Sequence, residues 1–449
     1  MADATVEAQS AGPSEIYALT LAVESLETSQ ARTSPAGVVR MGVLGLGNVG
    51  SAFVRLAHEE RNRFTTRCSS LATATALVRS TAPPRAAARL VPCVTADPDV
   101  FFAQPLDVVV EALGGVDAPL SLVARALDRG LPVVTANKSL IARHGDSLER
   151  LARARNTALR YEASCIAGVP FLGAFERRPL ASRVRGLAAI LNGTSNAILS
   201  GVDEGALFEN ALSDAQRLGL AEPDPSADLT GRDASEKLAL LLRRFGSFLV
   251  TPEEITSHGI DRVDPIDLRA ARALEGTIKP IACARWSDGN LQAHVGPAFL
   301  LRAHPLATLG GAMNGIVLDA VGGPQCFLGP GAGPEVTAAT LLDDVLEVAS
   351  EWRVREPAPH LPRKATPRPL TDTAWFLRIS GDAPQPDTSD LLGTFGVWSA
   401  RTLRTDGRLY ALSFPIAAER VDAALEALRA ALGCETSAIP AVAGEALAC

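Results

Sequence analysis

The stretch "VRMGVLGLGNVGSAFVRLAHEE", residues 39–60, decides the fold. Met41 to Leu44 form a short apolar run that stops at Gly45, and Gly45-x-Gly47-x-x-Gly50 then opens a segment with helical spacing. Each glycine has a physical role. The first allows a tight turn, the second lets a pyrophosphate approach the backbone, and the third lets the helix pack closely on the strand. The free N–H groups at the helix start suit an anion. Gly45, Leu46, Gly47, Asn48, Val49 and Gly50 are therefore candidate contacts to a dinucleotide.

Outward from this loop the rhythm is strand, helix, strand. "LDVVVEALGG" (106–115) and "LPVVTANK" (131–138) are continuous apolar runs, the signature of parallel strands buried on both faces. Helices are expected over 118–130 and 139–156, and a strand over "ALRYEAS", 158–164. The fold class is α/β: a Rossmann-type doubly wound parallel sheet over 39–175. The second strand, read at 73–81, ends without the acid that would hold a ribose hydroxyl. Arg79 stands there instead, which favours NADP over NAD.

Beyond residue 175 the pattern becomes α+β, with strands near 291–301 and 314–321 and helices over 207–219 and 234–246. "LNGTSN" (191–196) reads as a polar turn. Residues 176–354 form this second domain, 355–372 a proline-rich linker, and 373–449 a small β…βαβ module. Residues 1–38 form an N-terminal extension, with one short helix around Tyr17–Glu27. The 449 residues carry a net charge of −7 and no long basic run, which argues against nucleic acid as partner. No apolar run reaches the roughly 18 residues of a membrane span, and the acidic start does not resemble a secretory signal. Seven scattered cysteines suit reduced thiols in the cytoplasm.

One acidic stretch stands out: "GLAEPDPSADLTGRDASEKLALLL", 219–242. A calcium loop starting at Asp224 would need glycine at its sixth position and glutamate at its twelfth, where Leu229 and Ser235 stand. Thr230 and Asp233 resemble a helix capping box. Ala234, Leu238, Leu241 and Phe245 make a core stripe, and Asp233 and Lys237 run beside it, where a cleft wall would lie. Asp224 and Glu236 read as solvated charge.

Several stretches now converge. "GLGNVG", "DVVVEALGG", "LPVVTANKSLIARHG", "YEASCIAGVPFLGAF", "ILNGTSNAIL", "AQRLGLAEPDPSADLTGRDASEKL" and "GPGAGPEVTAATLLDDVLEVA" occur in this order and resemble the homoserine dehydrogenase family over residues 40–350. The resemblance implies interconversion of L-homoserine and L-aspartate 4-semialdehyde with NADP or NAD, on the way to threonine, methionine and isoleucine. It implies the monofunctional form, a catalytic and dimerisation domain over 176–354 whose last helix returns to the nucleotide domain, and a homodimer or homotetramer. By the same matching, Lys237 is the proton-transfer residue and Lys138 lies beside substrate and cofactor. Glu222 would hold the substrate amino group and Asp233 its reacting end, with Asp228 in support. Gly114, Gly219 and Gly333 join the cofactor contacts. Glu162 with the backbone at Cys165, Ala167 and Val169 would ring a monovalent cation, often sodium. Ile166 and Ala167 stand where that family is richer in glycine, a departure that matters if the loop needs positive φ. Cys165 is not expected to be a nucleophile, since hydride transfer needs none. The C-terminal module resembles an amino-acid-binding ACT domain, with L-threonine as the implied effector. Two alternatives stay open: a nucleotide-binding regulator without activity, and a dehydrogenase of a related amino-acid semialdehyde.

Overall fold

The computed structural model describes residues 37–63, 70–82, 85–169, 171–176, 183–221, 223–287, 289–331, 333–350, 362–380 and 392–442. The expected helix at 17–27, Glu222 and residues 355–361 of the proline-rich segment lie outside them.

The chain begins with strand β1 (Val38–Leu44), which runs into helix α1 (Asn48–Glu59). There follow β2 (Ser70–Leu77), β3 (Cys93–Thr95), α2 (Pro98–Phe102), β4 (Val108–Glu111), α3 (Asp117–Asp128), β5 (Val133–Thr135), α4 (Lys138–Ala154) and β6 (Leu159–Arg160). The six strands form one parallel sheet in the order β3-β2-β1-β4-β5-β6. That is the doubly wound arrangement read from the valine runs, whose order reverses between β1 and β4 and leaves a crevice at the strands' carboxyl ends. Leu77, Leu44, Glu111 and Thr135 line up in register along that edge. Val108–Glu111 and Val133–Thr135 are wholly buried, as a sheet covered on both faces requires. Two expectations change. β2 starts and ends earlier than 73–81, so Arg79 sits two residues past the strand. "ALRYEAS" keeps only two residues as strand before a 3₁₀ turn at Glu162–Ser164.

At the glycine loop, Gly45 has φ +98° and donates its N–H to Leu77 O at 2.9 Å. A Cβ on Gly50 would fall 1.9 Å from Gly45 O, so no larger residue fits where α1 crosses the turn. Among the described residues only the Arg85 guanidinium comes within 4 Å of such an atom beside Gly47, which leaves space where a phosphate would approach. No side chain caps α1, so its first N–H groups stay available to a ligand.

The second domain continues through α5 (Leu172–Glu176), β7 (Val184–Ile190), α6 (Gly193–Asp203), α7 (Phe208–Arg217), α8 (Ser226–Leu229), α9 (Arg232–Gly246), β8 (Phe248–Leu249) and α10 (Pro265–Ala273). Next come β9 (Gly276–Ser287), β10 (Asn290–Leu301), β11 (Met313–Ala320), β12 (Gly323–Pro330) and α11 (Pro334–Ser350). Helix α11 packs Ala338, Leu341 and Leu342 into the same core as Ala52, Phe53 and Val54 of α1. The polar stretch after β7 is not a turn alone: Asn192 caps α6, its side chain accepting from Ser195 N.

The chain ends with β13 (Arg363–Lys364), β14 (Ala374–Ser380), β15 (Ser399–Thr405), β16 (Arg408–Ser413), α12 (Ala418–Leu432) and β17 (Glu435–Val442). β13 pairs with β8, and Arg368 N donates to Leu291 O at 2.8 Å, so residues 362–368 lie along the second domain. The second sheet has nine strands, β12-β11-β7-β9-β10-β17-β14-β16-β15. Its last four come from the C-terminal module and are mutually antiparallel, joined to β10 through Phe299↔Ala441 and Leu300↔Val442. Phe299 stacks on Phe376 with centroids 5.4 Å apart. The module and the second domain thus share a sheet and a core.

Candidate active site

Gly231, at φ +81°, starts α9 in the left-handed conformation that glycine tolerates best. The first turns of α9 then set Asp233 and Lys237 four residues apart on one face, while Ala234, Leu238 and Leu241 go into the core. Lys237 Nζ lies 3.1 Å from Asp233 Oδ2 and donates to Leu191 O at 2.7 Å. Both side chains are 12% exposed, at the margin of the core. The capping box is not formed. The Thr230 hydroxyl donates instead to Ser226 O, and the Asp233 carboxylate faces the two lysines.

The second lysine arrives from the nucleotide domain. Asn137 caps α4 by accepting from Leu140 N and donates to Gly115 O at 2.8 Å, which ties the ends of β4 and β5 together. Lys138 is the first residue of that helix, and its Nζ lies 3.1 Å from Asp233 Oδ1. One carboxylate therefore bridges both domains' lysines. Asn192 adds the third side: its Nδ2 donates to Asp233 Oδ2 at 2.9 Å and to Asp228 Oδ1 at 2.6 Å.

Burial pushes the Asp233 carboxyl up, but Lys237, Lys138 and the Asn192 amide outweigh it and hold the group well below the usual carboxylate range. Asp233 is accordingly an anion at neutral pH. Lys138 is pushed up, chiefly by the Asp233 charge against the cost of burial. Asp228 is raised by burial, against the hydrogen bond from Asn192. Lys138 is thus a fixed cation rather than a group that gives up its proton near neutral pH.

Lys138, Asp228, Asp233 and Lys237 therefore come together as one cluster. The glycines at 45, 47 and 50 form the loop at the carboxyl edge of the parallel sheet, with Gly114 at φ +76° in the loop beyond β4. Gly219, at φ +71°, follows α7, and Gly333, at φ +140°, precedes α11. Arg79 is exposed just beyond β2. The Glu162 carboxylate is taken by the backbone N–H groups of Phe171, Leu172 and Gly173 at 2.8–2.9 Å. Ala167 O accepts the Thr340 hydroxyl. Ile166 and Ala167 are not among the residues with positive φ, so their side chains impose no strain of that kind. The Cys165 thiol is buried, and burial followed by the Glu162 charge pushes it up, so it is no nucleophile.

Glu236 is not solvated charge. It is 4% exposed, accepts from Ser139 Oγ at 2.8 Å and so joins α9 to α4. Asp224 is exposed and receives Ser226 N at 3.1 Å. Sequence reasoning missed Asn192, although an asparagine just before a helix is a strong cap signal. It also missed Arg85, which reaches the Leu46 carbonyl in the glycine loop. Glu111 was missed too. It is fully buried at the end of β4 and accepts the Thr135 hydroxyl at 2.5 Å and Leu113 N at 2.8 Å.

Comparison with known proteins agrees with this construction. The homoserine dehydrogenase family model matches residues 170–346, and that of the homoserine dehydrogenase NAD binding domain matches residues 45–162. The homoserine dehydrogenase of Synechocystis is 34% identical over 318 residues, 69% of this chain and 73% of its own length. That of Pseudomonas aeruginosa is 32% identical over 355 residues, 76% of this chain and 81% of its own. The crystal structure of a homoserine dehydrogenase from Thiobacillus denitrificans superimposes with a TM-score of 0.81 at 30% identity, covering 90% of this chain and 98% of that one. The glycine loop, the parallel sheet and the lysine–aspartate cluster therefore have a common context: the chain belongs to the homoserine dehydrogenase family of nicotinamide-dependent oxidoreductases.

Proposed function

We propose that the cluster around Asp233 carries the reversible oxidation of the L-homoserine hydroxyl to the aldehyde of L-aspartate 4-semialdehyde. The observation that carries this reading is the shared carboxylate, with Lys138 on Oδ1 and Lys237 on Oδ2. The nicotinamide, when bound, supplies the hydride acceptor. The remaining demand is removal of the hydroxyl proton by a base in the right place. Lys237 meets that demand, because two of its N–H directions are occupied by Leu191 O and Asp233, which leaves one position for the substrate oxygen. Lys138 supplies a fixed positive charge that favours the developing alkoxide. Asp233 and Asp228 orient these groups, and Glu222 would select an α-amino acid by binding its ammonium group. Reduction of NADP with L-homoserine, followed at the nicotinamide absorbance, tests the whole reading, and no activity would overturn it.

NADP is the preferred cofactor. Arg79 and Arg85 flank the loop after β2, both exposed, and no acid stands at the end of that strand. Arg79→Ala should raise KM for NADP by about 10- to 100-fold, the worth of a charge-assisted contact, and leave KM for NAD nearly unchanged. A wild-type KM lower for NAD than for NADP would refute the preference.

A monovalent cation such as sodium would sit among backbone carbonyls near Glu162, Cys165, Ala167 and Val169, since the Glu162 carboxylate already has partners. Activity unchanged when sodium is replaced by a bulky organic cation would remove this proposal. The C-terminal module has the strand order β17-β14-β16-β15 of a split βαβ unit, which supports an ACT-like regulatory role. L-threonine is the effector this suggests, and a rate unaffected by millimolar threonine would overturn it. The assembly is a homodimer or homotetramer in the cytoplasm, with light scattering as the check on oligomer size. Among the described residues no helix is long and apolar enough to cross a membrane.

A further inference from the structure

Asn314, on β11, is fully buried next to the cluster yet has no place in the mechanism above. Its Nδ2 donates to Leu191 O at 3.1 Å, the same carbonyl that accepts Lys237 Nζ at 2.7 Å. A carbonyl is only an acceptor, so the amide's orientation is fixed: nitrogen to Leu191 and oxygen away. That oxygen has no hydrogen-bond partner among the described residues. It points at the turn after β12, where a Cβ on Gly331 would lie 2.2 Å from it. Gly331 N in turn donates to Ala312 O at 3.3 Å, which holds the turn against the start of β11, beside Asn314. The Leu191 carbonyl belongs to the peptide that leads into Asn192, the residue that caps α6 and holds Asp228 and Asp233. Holding one peptide plane therefore sets the acceptor for Lys237 and the origin of Asn192 together.

We propose that Asn314 is a positioning residue, locking the Leu191–Asn192 peptide and with it the Lys237 amine against the turn at Gly331. The turn leads to Gly333 and α11, so the device links the proton-transfer amine to the segment that closes over the nucleotide domain. The inference rests on the reading of Lys237 as the proton-transfer group. Nothing in it needs Asn314 to touch substrate.

The test uses the full-length enzyme with L-homoserine and NADP. Asn314→Leu keeps the branching at Cγ and removes the hydrogen bond. It should lower kcat about 10- to 100-fold, the cost of a proton acceptor displaced by a fraction of an ångström to about 1 Å. KM for both substrates should stay within about threefold, and the solvent deuterium isotope effect on kcat should rise as proton transfer becomes limiting. Gly331→Ala pushes on the same side chain and should give the same signature. The double variant should be no slower than the slower single, because both act through one contact. If Asn314→Leu does not fold, Gly331→Ala alone decides. A kcat within twofold of wild type in either variant overturns the proposal. So does a loss shared equally by kcat and cofactor affinity with no isotope effect, which would mark a merely structural residue. Lys237→Ala separates the two levels. If it stays active, the reading of Lys237 fails and the proposal with it. If it is inert while Asn314→Leu runs at full speed, only the role of Asn314 fails.

Discussion

Lys237→Ala should lower kcat for L-homoserine oxidation by about three orders of magnitude, in the range general acid–base residues contribute. NADP affinity should stay within about threefold, because Lys237 lies on α9 in the second domain, apart from the glycine loop. The split follows from geometry. Lys138 remains on Asp233 Oδ1 and keeps that carboxylate paired, so the cleft should hold its shape. What disappears is the one amine tied to both Leu191 O and Asp233 Oδ2. Small primary amines added to the assay should restore part of the rate by entering the space left behind. Steady-state kinetics and a fluorescence titration of NADPH check both halves. A variant that keeps a tenth of the wild-type kcat would sink the assignment and pass the proton-transfer role to another group.

How much of this was legible depends on how local each signal is. The glycine loop could be read directly, because Gly50 answers a steric demand set by Gly45 five residues before it and Gly45 a positive φ in the turn itself. The valine runs of β4 and β5 could be read because strands buried on both faces need unbroken apolar sequence. The second domain was harder. β9 and β12 were missed although each forms a hairpin with its neighbour: β9 carries Lys279 and Pro280 in mid-strand, and β12 is an edge strand with a largely exposed face and glycine and proline at both ends. The pairing of β10 with β17, which makes the C-terminal module part of the nine-stranded sheet, has no sequence signal. In the site, Asp233 and Lys237 could be found from their helical spacing beside a core stripe. Asn192 looked like a turn because its cap and its two carboxylate contacts appear only once β7 delivers it to α9. Glu236 failed for the opposite reason: its charge suggested solvent, while α4 brings Ser139 to it and covers it.

Asp233→Asn should damage both chemistry and folding, and the pH dependence separates the two. In the native protein the carboxylate sits between the Lys138 and Lys237 amines, 3.1 Å from each. The amide variant keeps the shape but removes the charge that chiefly holds Lys138 protonated, and the Asn192 amide keeps Asp228 as its only charged acceptor among the described residues. Breaking a buried pair in this way typically costs about 3–5 kcal/mol, so thermal unfolding should move down by several degrees. kcat/KM should fall about 100- to 1,000-fold, since the base is displaced and the substrate's reacting end loses its holder. The sign with pH is definite. The folded-state carboxyl is held below its unfolded value, so its stabilisation is complete above the unfolded carboxylate range near pH 4 and fades as pH falls toward the lower folded value. The stability gap between wild type and Asp233→Asn should therefore be flat from about pH 8 to pH 5 and narrow below about pH 4. Denaturant titrations across that series measure it. A gap that stays constant down to pH 2 would mean that Asp233 contributes shape rather than charge, and the electrostatic account of the cluster would fall with it.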